Sequence, residues 1–114
     1  MKMIKKISVG LLMITFFLAC NSGIQNKKSV DFKVWGNCGM CKKTIEKSLE
    51  TDVIKSDWNK KTKMIHVEYD TVKYTLEQIH TMISEAGYDT EMKKGNDEAY
   101  AKLHSCCKYE RKKD

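Results

Sequence analysis

The chain contains no proline. That absence removes the cis-proline that faces the cysteine pair in thioredoxin-like folds. No Gly-rich phosphate loop, no Gly-x-Ser-x-Gly and no His-Glu-x-x-His occurs, so no recognised catalytic constellation stands out. There is no internal repeat and no low-complexity stretch. Basic residues alternate with acidic ones along the body, and no aromatic-studded basic patch of the kind that grips nucleic acid is present. What the chain does have is five cysteines, four of them in two tight groups.

The first nineteen residues read as a leader. Met1 to Lys6 is a basic start, and Ile7 to Ala19 is apolar apart from Ser8, Gly10 and Thr15. About thirteen residues at roughly 1.5 Å each give about 20 Å, short of a ~30 Å hydrocarbon core, so an export signal is expected rather than a spanning helix. Its end, Phe17-Leu18-Ala19-Cys20, resembles the lipobox of bacterial lipoproteins, with Phe17 where leucine is usual. The resemblance implies cleavage after residue 19, acylation of Cys20, and an exported, membrane-anchored, periplasm-facing protein. Residues 20–29 are then anchor and polar tether. About 95 residues remain, enough for one small two-layer domain. Lys2, Lys5 and Lys6 leave with the leader, lowering the net charge from +6 to about +3. Lys108, Arg111, Lys112 and Lys113 form a basic tail, expected to be solvated or to lean on anionic lipid.

Cys38-Gly39-Met40-Cys41 lies where a strand-like run ends and a helix-like run begins. Val30 to Val34 alternates apolar and charged, as a half-buried strand does, and Cys41, Ile45 and Leu49 fall at helical steps. One sulfur is therefore expected in a turn and the other on the opening turn of a helix. Unpaired backbone N–H groups there favour thiolate, the form that binds metal or attacks disulfides. Lys42 and Lys43 are expected to add positive charge.

Further along, Val53 to Trp58 and Met64 to Tyr69 read as a hairpin around the polar turn 59–63, with Ile54, Ser56 and Trp58 on one face. Thr75 and Gln78 fit a capping box for a helix carrying Leu76, Ile79, Met82, Ile83 and Ala86, closed by Gly87. Tyr88 to Met92 is a short fourth strand candidate. The order is βαββαβ: an α+β, ferredoxin-like antiparallel sheet with two helices on one face. Residues 97–104 add a short helix to a C-terminal tail, 95–114. Met64, Met82 and Met92 have core spacing, Trp35 and Trp58 are expected in the core or seating the loop, and His66 and His80 are expected in solvent.

Val34 to Leu49, with this element order and Ala86-Gly87-Tyr88-Asp89, resembles the heavy-metal-associated domain over residues 30–94. That family includes copper chaperones, the amino-terminal domains of metal-pumping ATPases and a periplasmic mercury-binding protein. The resemblance implies that Cys38 and Cys41 bind the metal and that the aromatic near the loop is Tyr88. The family handles Cu(I), Hg(II), Zn(II) and Cd(II), so membership does not name the ion; two thiolates suit a soft ion of low coordination, and Cu(I) is the first choice, with Hg(II), Zn(II) or Cd(II) behind it. A metal-transporting ATPase or efflux system is the implied partner. The family's loop-anchoring methionine, two residues before the first cysteine, is replaced here by Gly36, which leaves Trp35 or Met40 to seat the loop. The other function classes are a thiol–disulfide oxidoreductase on the same Cys-x-x-Cys, and a structural adaptor within an efflux assembly.

His104-Ser105-Cys106-Cys107 lies outside the resemblance. Three soft or borderline donors in four residues admit two readings: a disulfide reaching Cys38 or Cys41, or additional metal ligands completing the coordination. Both require the tail to approach the loop.

Overall fold

A computed structural model describes residues 24–113. The leader and Cys20 lie outside the described residues. Among these, no helix is long and apolar enough to cross a membrane.

The elements are β1 (Lys27–Lys33), α1 (Gly39–Ser48), β2 (Ile54–Trp58), β3 (Met64–Asp70), α2 (Leu76–Glu85) and α3 (Asp97–Ala101), followed by a 3₁₀ turn, Ser105–Cys107. The strands form one antiparallel sheet in the order β1-β3-β2. Register follows the hydrophobic alternation. Phe32 and Trp58 flank Ile65, Val30 and Ser56 flank Val67, and Ile54 faces Tyr69. Because side chains alternate with a period of two, this puts the apolar set on one side. There Ile45 from α1, Leu49 at its C-cap, and Ile79 and Ile83 from α2 complete the core. The other face is wet and charged, with His66 Nδ1 2.9 Å from Asp31 Oδ1. The Asp31 hydrogen bond chiefly raises the pKa of His66, which is exposed as expected.

Local signals account for the helix ends. Thr75 Oγ1 accepts from Gln78 N at 3.1 Å while Gln78 Oε1 accepts from Thr75 N at 2.8 Å, the reciprocal cap the sequence predicts. Gly87 follows α2 at φ +101°, and a Cβ there would meet Tyr100 N at 2.8 Å, so both conformation and space demand glycine. At the start of α1, Cys38 is the N-cap residue, which places its sulfur beside the otherwise unpaired first-turn N–H groups.

The ferredoxin-like class stands, but the fourth strand is reduced to one bridge, Val34 to Thr90. Trp35 N donates to Asp89 O at 2.9 Å and Glu91 N to Lys33 O at 3.2 Å. The chain then turns at once, because Thr90 Oγ1 accepts from Met92 N and Lys93 N and Thr90 N donates to Lys93 O. Such a side-chain-anchored turn competes with further ladder pairing.

Three expectations about single residues are overturned. His80 is not in solvent: it is 1% exposed, stacked on Phe32 with ring centroids 3.9 Å apart and bonded to Thr90 Oγ1 at 2.6 Å. Burial depresses its pKa, so it sits in the core as a neutral, partnered ring. Met64 and Met92 are exposed rather than core. The basic tail is not simply solvated. Arg111 Nη2 lies 2.9 Å from Asp89 Oδ1, and Lys112 Nζ donates to Thr90 O at 2.8 Å.

Candidate metal centre

The loop between β1 and α1 is carried by packing from below. A Cβ on Gly36 would stand 2.8 Å from Trp58 Cζ2 and 3.3 Å from Cys41 Cβ. The Trp58 indole therefore fills the space under the loop, and its Nε1–H donates to Val34 O at 3.0 Å. Trp58 is the seat, not Trp35 or Met40. Met40 is exposed, and Trp35 is half-buried with Lys33 Nζ 4.4 Å from its ring centroid. The sequence carried half of this signal, a glycine where the family has a large side chain. The compensating bulk comes from a residue 22 positions away, beyond any local pattern.

Cys41 is fully buried, and its Sγ accepts from Asn37 N at 3.2 Å. Cys38 is partly exposed. Backbone N–H groups of Cys41 first, then Met40, hold its thiolate and lower its pKa from 9.0 to about 7. The backbone, rather than Lys42, provides this stabilisation. Lys42 Nζ is bound to Glu46 Oε2 at 2.7 Å, to Asp57 and to Trp58 O, and its pKa is raised by those carboxylates. Glu46 Oε2 also accepts from Trp58 N at 2.9 Å, so this group fastens α1 to the end of β2.

The C-terminal segment lies over the loop. Asn37 Nδ2 donates to Cys106 O at 3.4 Å, Cys38 Sγ reaches the same oxygen at 3.5 Å, and Cys41 Sγ reaches Cys107 O at 4.0 Å. The three sulfurs of Cys38, Cys41 and Cys107 all lie within 4.8 Å of one another. Cys107 is buried. Burial first, and Cys41 next, push its thiol up to about 12, so with no cation present it stays protonated. Cys106 is exposed, its sulfur 3.4 Å from Met40 Sδ and 3.9 Å from Cys107 Sγ. His104, the remaining donor of the tail motif, is exposed and is not part of the three-sulfur group. All four described cysteines are free thiols.

Tyr88 is fully buried behind these sulfurs, and its hydroxyl has no hydrogen-bond partner among the described residues. Burial first, then the proximity of Cys41, keeps the phenol protonated far above its ordinary range. An orphaned O–H next to thiols is unfavourable in the metal-free protein, and it gains an acceptor once a neighbouring sulfur is deprotonated by an ion.

Sequence reasoning missed the clasp that holds the tail. Tyr109 is 1% exposed; its hydroxyl donates to Gly87 O at 2.7 Å and accepts from Asp89 N at 2.8 Å. The buried Asp89 carboxylate accepts from Gly95 N, Arg111 and Lys112 N. Burial alone would raise the Asp89 pKa, but the Arg111 bond and the two backbone donors outweigh it and hold the group below its usual value. The available signal was an apolar set, Tyr100, Leu103 and Tyr109, inside an otherwise charged tail.

The heavy-metal-associated domain matches residues 37–89. Among solved structures, a CopZ metallochaperone is 30% identical and superposes with a TM-score of 0.52, covering 55% of this chain and 98% of its own. The solution structure of a protein from Bacillus anthracis strain Ames, described as a putative copper-ion-binding protein, is 26% identical with a TM-score of 0.53, covering 57% of this chain and 96% of its own. No curated protein matches the chain.

Proposed function

The chain belongs to the heavy-metal-associated domain family, and we propose that it captures Cu(I) between Cys38 and Cys41 and passes it on by ligand exchange. The observation that carries this reading is the paired sulfurs at the opening of α1. One is partly exposed with its thiol lowered to about 7, and the other is buried and already accepting an N–H bond. Two thiolates suit a soft ion that tolerates low coordination, whereas structural zinc takes four ligands. One solved relative is described as a metallochaperone and the other as copper-ion-binding, which supports Cu(I) over Hg(II), Zn(II) and Cd(II).

Transfer proceeds at the exposed side. An incoming thiolate reaches the ion beside Cys38, a third metal–sulfur bond forms, and the bond to Cys38 lengthens as the acceptor takes over. No metal–ligand bond is lost before its replacement forms, so the barrier stays low. The acceptor in this reading is a metal-transporting ATPase or an efflux assembly, and the protein is a carrier rather than an enzyme. Metal analysis of the full-length chain under reducing conditions tests it. One Cu(I) per chain is expected, with affinity falling by orders of magnitude in the Cys38→Ser, Cys41→Ser double variant. Native-like affinity in that variant overturns the assignment.

The place of action follows from residues 1–20. Cys20 closes the apolar leader and is proposed as the acylated residue of an exported lipoprotein. Several acyl chains at about 0.8 kcal/mol per buried CH₂ make such an anchor stable. Radiolabelled fatty acid is expected on the native chain and absent from Cys20→Ser; persistent labelling removes Cys20 from that role.

A further inference from the structure

We propose that Cys107, delivered by the C-terminal segment, is a third sulfur ligand, so that the captured ion sits in a Cys38–Cys41–Cys107 triangle rather than between two loop thiolates. The proposal rests on the capture reading above and adds a ligand from outside the matched domain, which ends at residue 89.

Geometry carries it. With a metal–thiolate bond of roughly 2.3 Å, a trigonal site needs sulfurs roughly 4.0 Å apart. The three sulfurs here are within 4.8 Å of one another, so contraction by less than about an ångström per pair closes the site. The placement of Cys107 is also fixed from both sides. Before it, α3 is capped by Asn96, whose Oδ1 accepts from Ala99 N at 2.9 Å. After it, Tyr109, Arg111 and Lys112 are bonded to Gly87, Asp89 and Thr90. Tyr100 joins the two halves, its hydroxyl donating to Tyr109 O at 2.7 Å. A segment held this way presents its sulfur without a further ordering cost at the moment of binding.

The surroundings suit three sulfurs carrying negative charge. Asn37 N already serves Cys41, the first-turn N–H groups of α1 serve Cys38, and the unpartnered Tyr88 hydroxyl lies beside Cys41 and Cys107. In the metal-free protein the sulfurs of Cys38 and Cys41 lie 3.5 Å and 4.0 Å from the Cys106 and Cys107 carbonyl oxygens. When the ion enters, the thiol protons pass to solvent and three S–metal bonds replace the S–H bonds. No electron is transferred. Cys106 stays outside, its sulfur turned to Met40 at 3.4 Å.

A third ligand changes what the protein does with its cargo. A two-coordinate ion is open to any incoming thiolate, whereas a three-coordinate one is retained until a partner displaces a ligand. The test is Cu K-edge X-ray absorption on the full-length chain under reductant, with Cu(I) affinity measured by chelator competition. The native chain is expected to show three sulfur neighbours. Cys107→Ala is expected to show two and to bind at least about tenfold more weakly, since even outer hydrogen-bond partners of metal ligands are worth 10–100-fold. Cys106→Ser is expected to keep three. Two sulfurs in the native chain overturn the proposal without needing any variant to fold, and leave the capture reading intact. The capture reading falls separately, if the Cys38→Ser, Cys41→Ser variant retains native affinity.

Discussion

Replacing Arg111 with alanine strands the Asp89 carboxylate in the core. Asp89 is fully buried, and Arg111 reaches it through both Nε and Nη2 while also bonding Gly95 O and Asp97. Removing one partner of a buried pair costs about 3–5 kcal/mol, because the remaining charge is left uncompensated. Asp89 would keep the N–H groups of Gly95 at 2.6 Å and Lys112 at 2.8 Å, and Arg111 retains a fifth of its side chain in water. We therefore expect the lower end, about 3 kcal/mol, against a total stability of about 5–15 kcal/mol for a domain of this size. The penalty is pH-dependent with a definite sign. In the native chain the folded pKa of Asp89 lies below its ordinary 3.8. The stabilisation is thus present above that value and is lost as pH falls through the folded one. In Arg111→Ala the opposing effect, burial, is less balanced and the folded pKa rises, so protonation relieves the strain and the penalty shrinks between about pH 7 and about pH 4. Urea unfolding at both pH values measures it, with a midpoint lower by roughly 1–3 M at neutral pH. A neutral-pH difference under about 1 kcal/mol, or one independent of pH, refutes the account of the clasp.

Two further outcomes follow from the loop. Gly36→Ala drives a methyl to 2.8 Å from the Trp58 ring and is expected to cost about 1–3 kcal/mol, with Trp58→Leu in the same chain recovering part of it; strict additivity in that double-mutant cycle would mean that Trp58 does not seat the loop. Tyr88→Phe removes an unpartnered hydroxyl, so thermal stability of the metal-free protein should hold or rise slightly while Cu(I) affinity drops about tenfold. An unchanged affinity would take the hydroxyl out of the site.

The parts of the fold that were legible are those in which the signal is local. The α2 capping box, the closing glycine and the alternation of Ile65, Val67 and Tyr69 each sit within a few residues of one another, and each predicts one element. The Cys38–Cys41 pair was legible for the same reason, since strand, turn and helix signals meet at it. His80 was not, because its environment comes from Phe32 and Thr90 on other elements. A histidine on a helix flank looks the same in sequence whether the adjacent sheet edge is bare or covered. The fourth strand was over-read for a related reason: Thr90 suits a strand by propensity, but its hydroxyl binds the backbone two and three residues on and ends the pairing.

The tail shows where local reasoning stops and what replaces it. Lys108 to Lys113 is charged enough to read as solvated, and nothing in its spacing distinguishes Arg111 from its neighbours. Its role is set by a carboxylate 22 residues earlier. Asp89, however, follows Tyr88 directly, and the two side chains serve different halves of one arrangement. Tyr88 backs the sulfurs, while Asp89 holds the segment that brings the third sulfur to them. Stability and metal chemistry are consequently coupled through adjacent residues. Loosening the clasp should release Cys107 before it unfolds the sheet, because the clasp bonds the tail to the segment after α2, from Gly87 to Asp97, and not to the strands β1, β2 or β3. In Arg111→Ala under native conditions, Cys107 should therefore react with a thiol reagent faster than global unfolding allows, while Cys41, held by the loop, should not. Equal acceleration at both cysteines would mean that the tail and the domain open together, and that the third sulfur cannot be withdrawn independently of the fold.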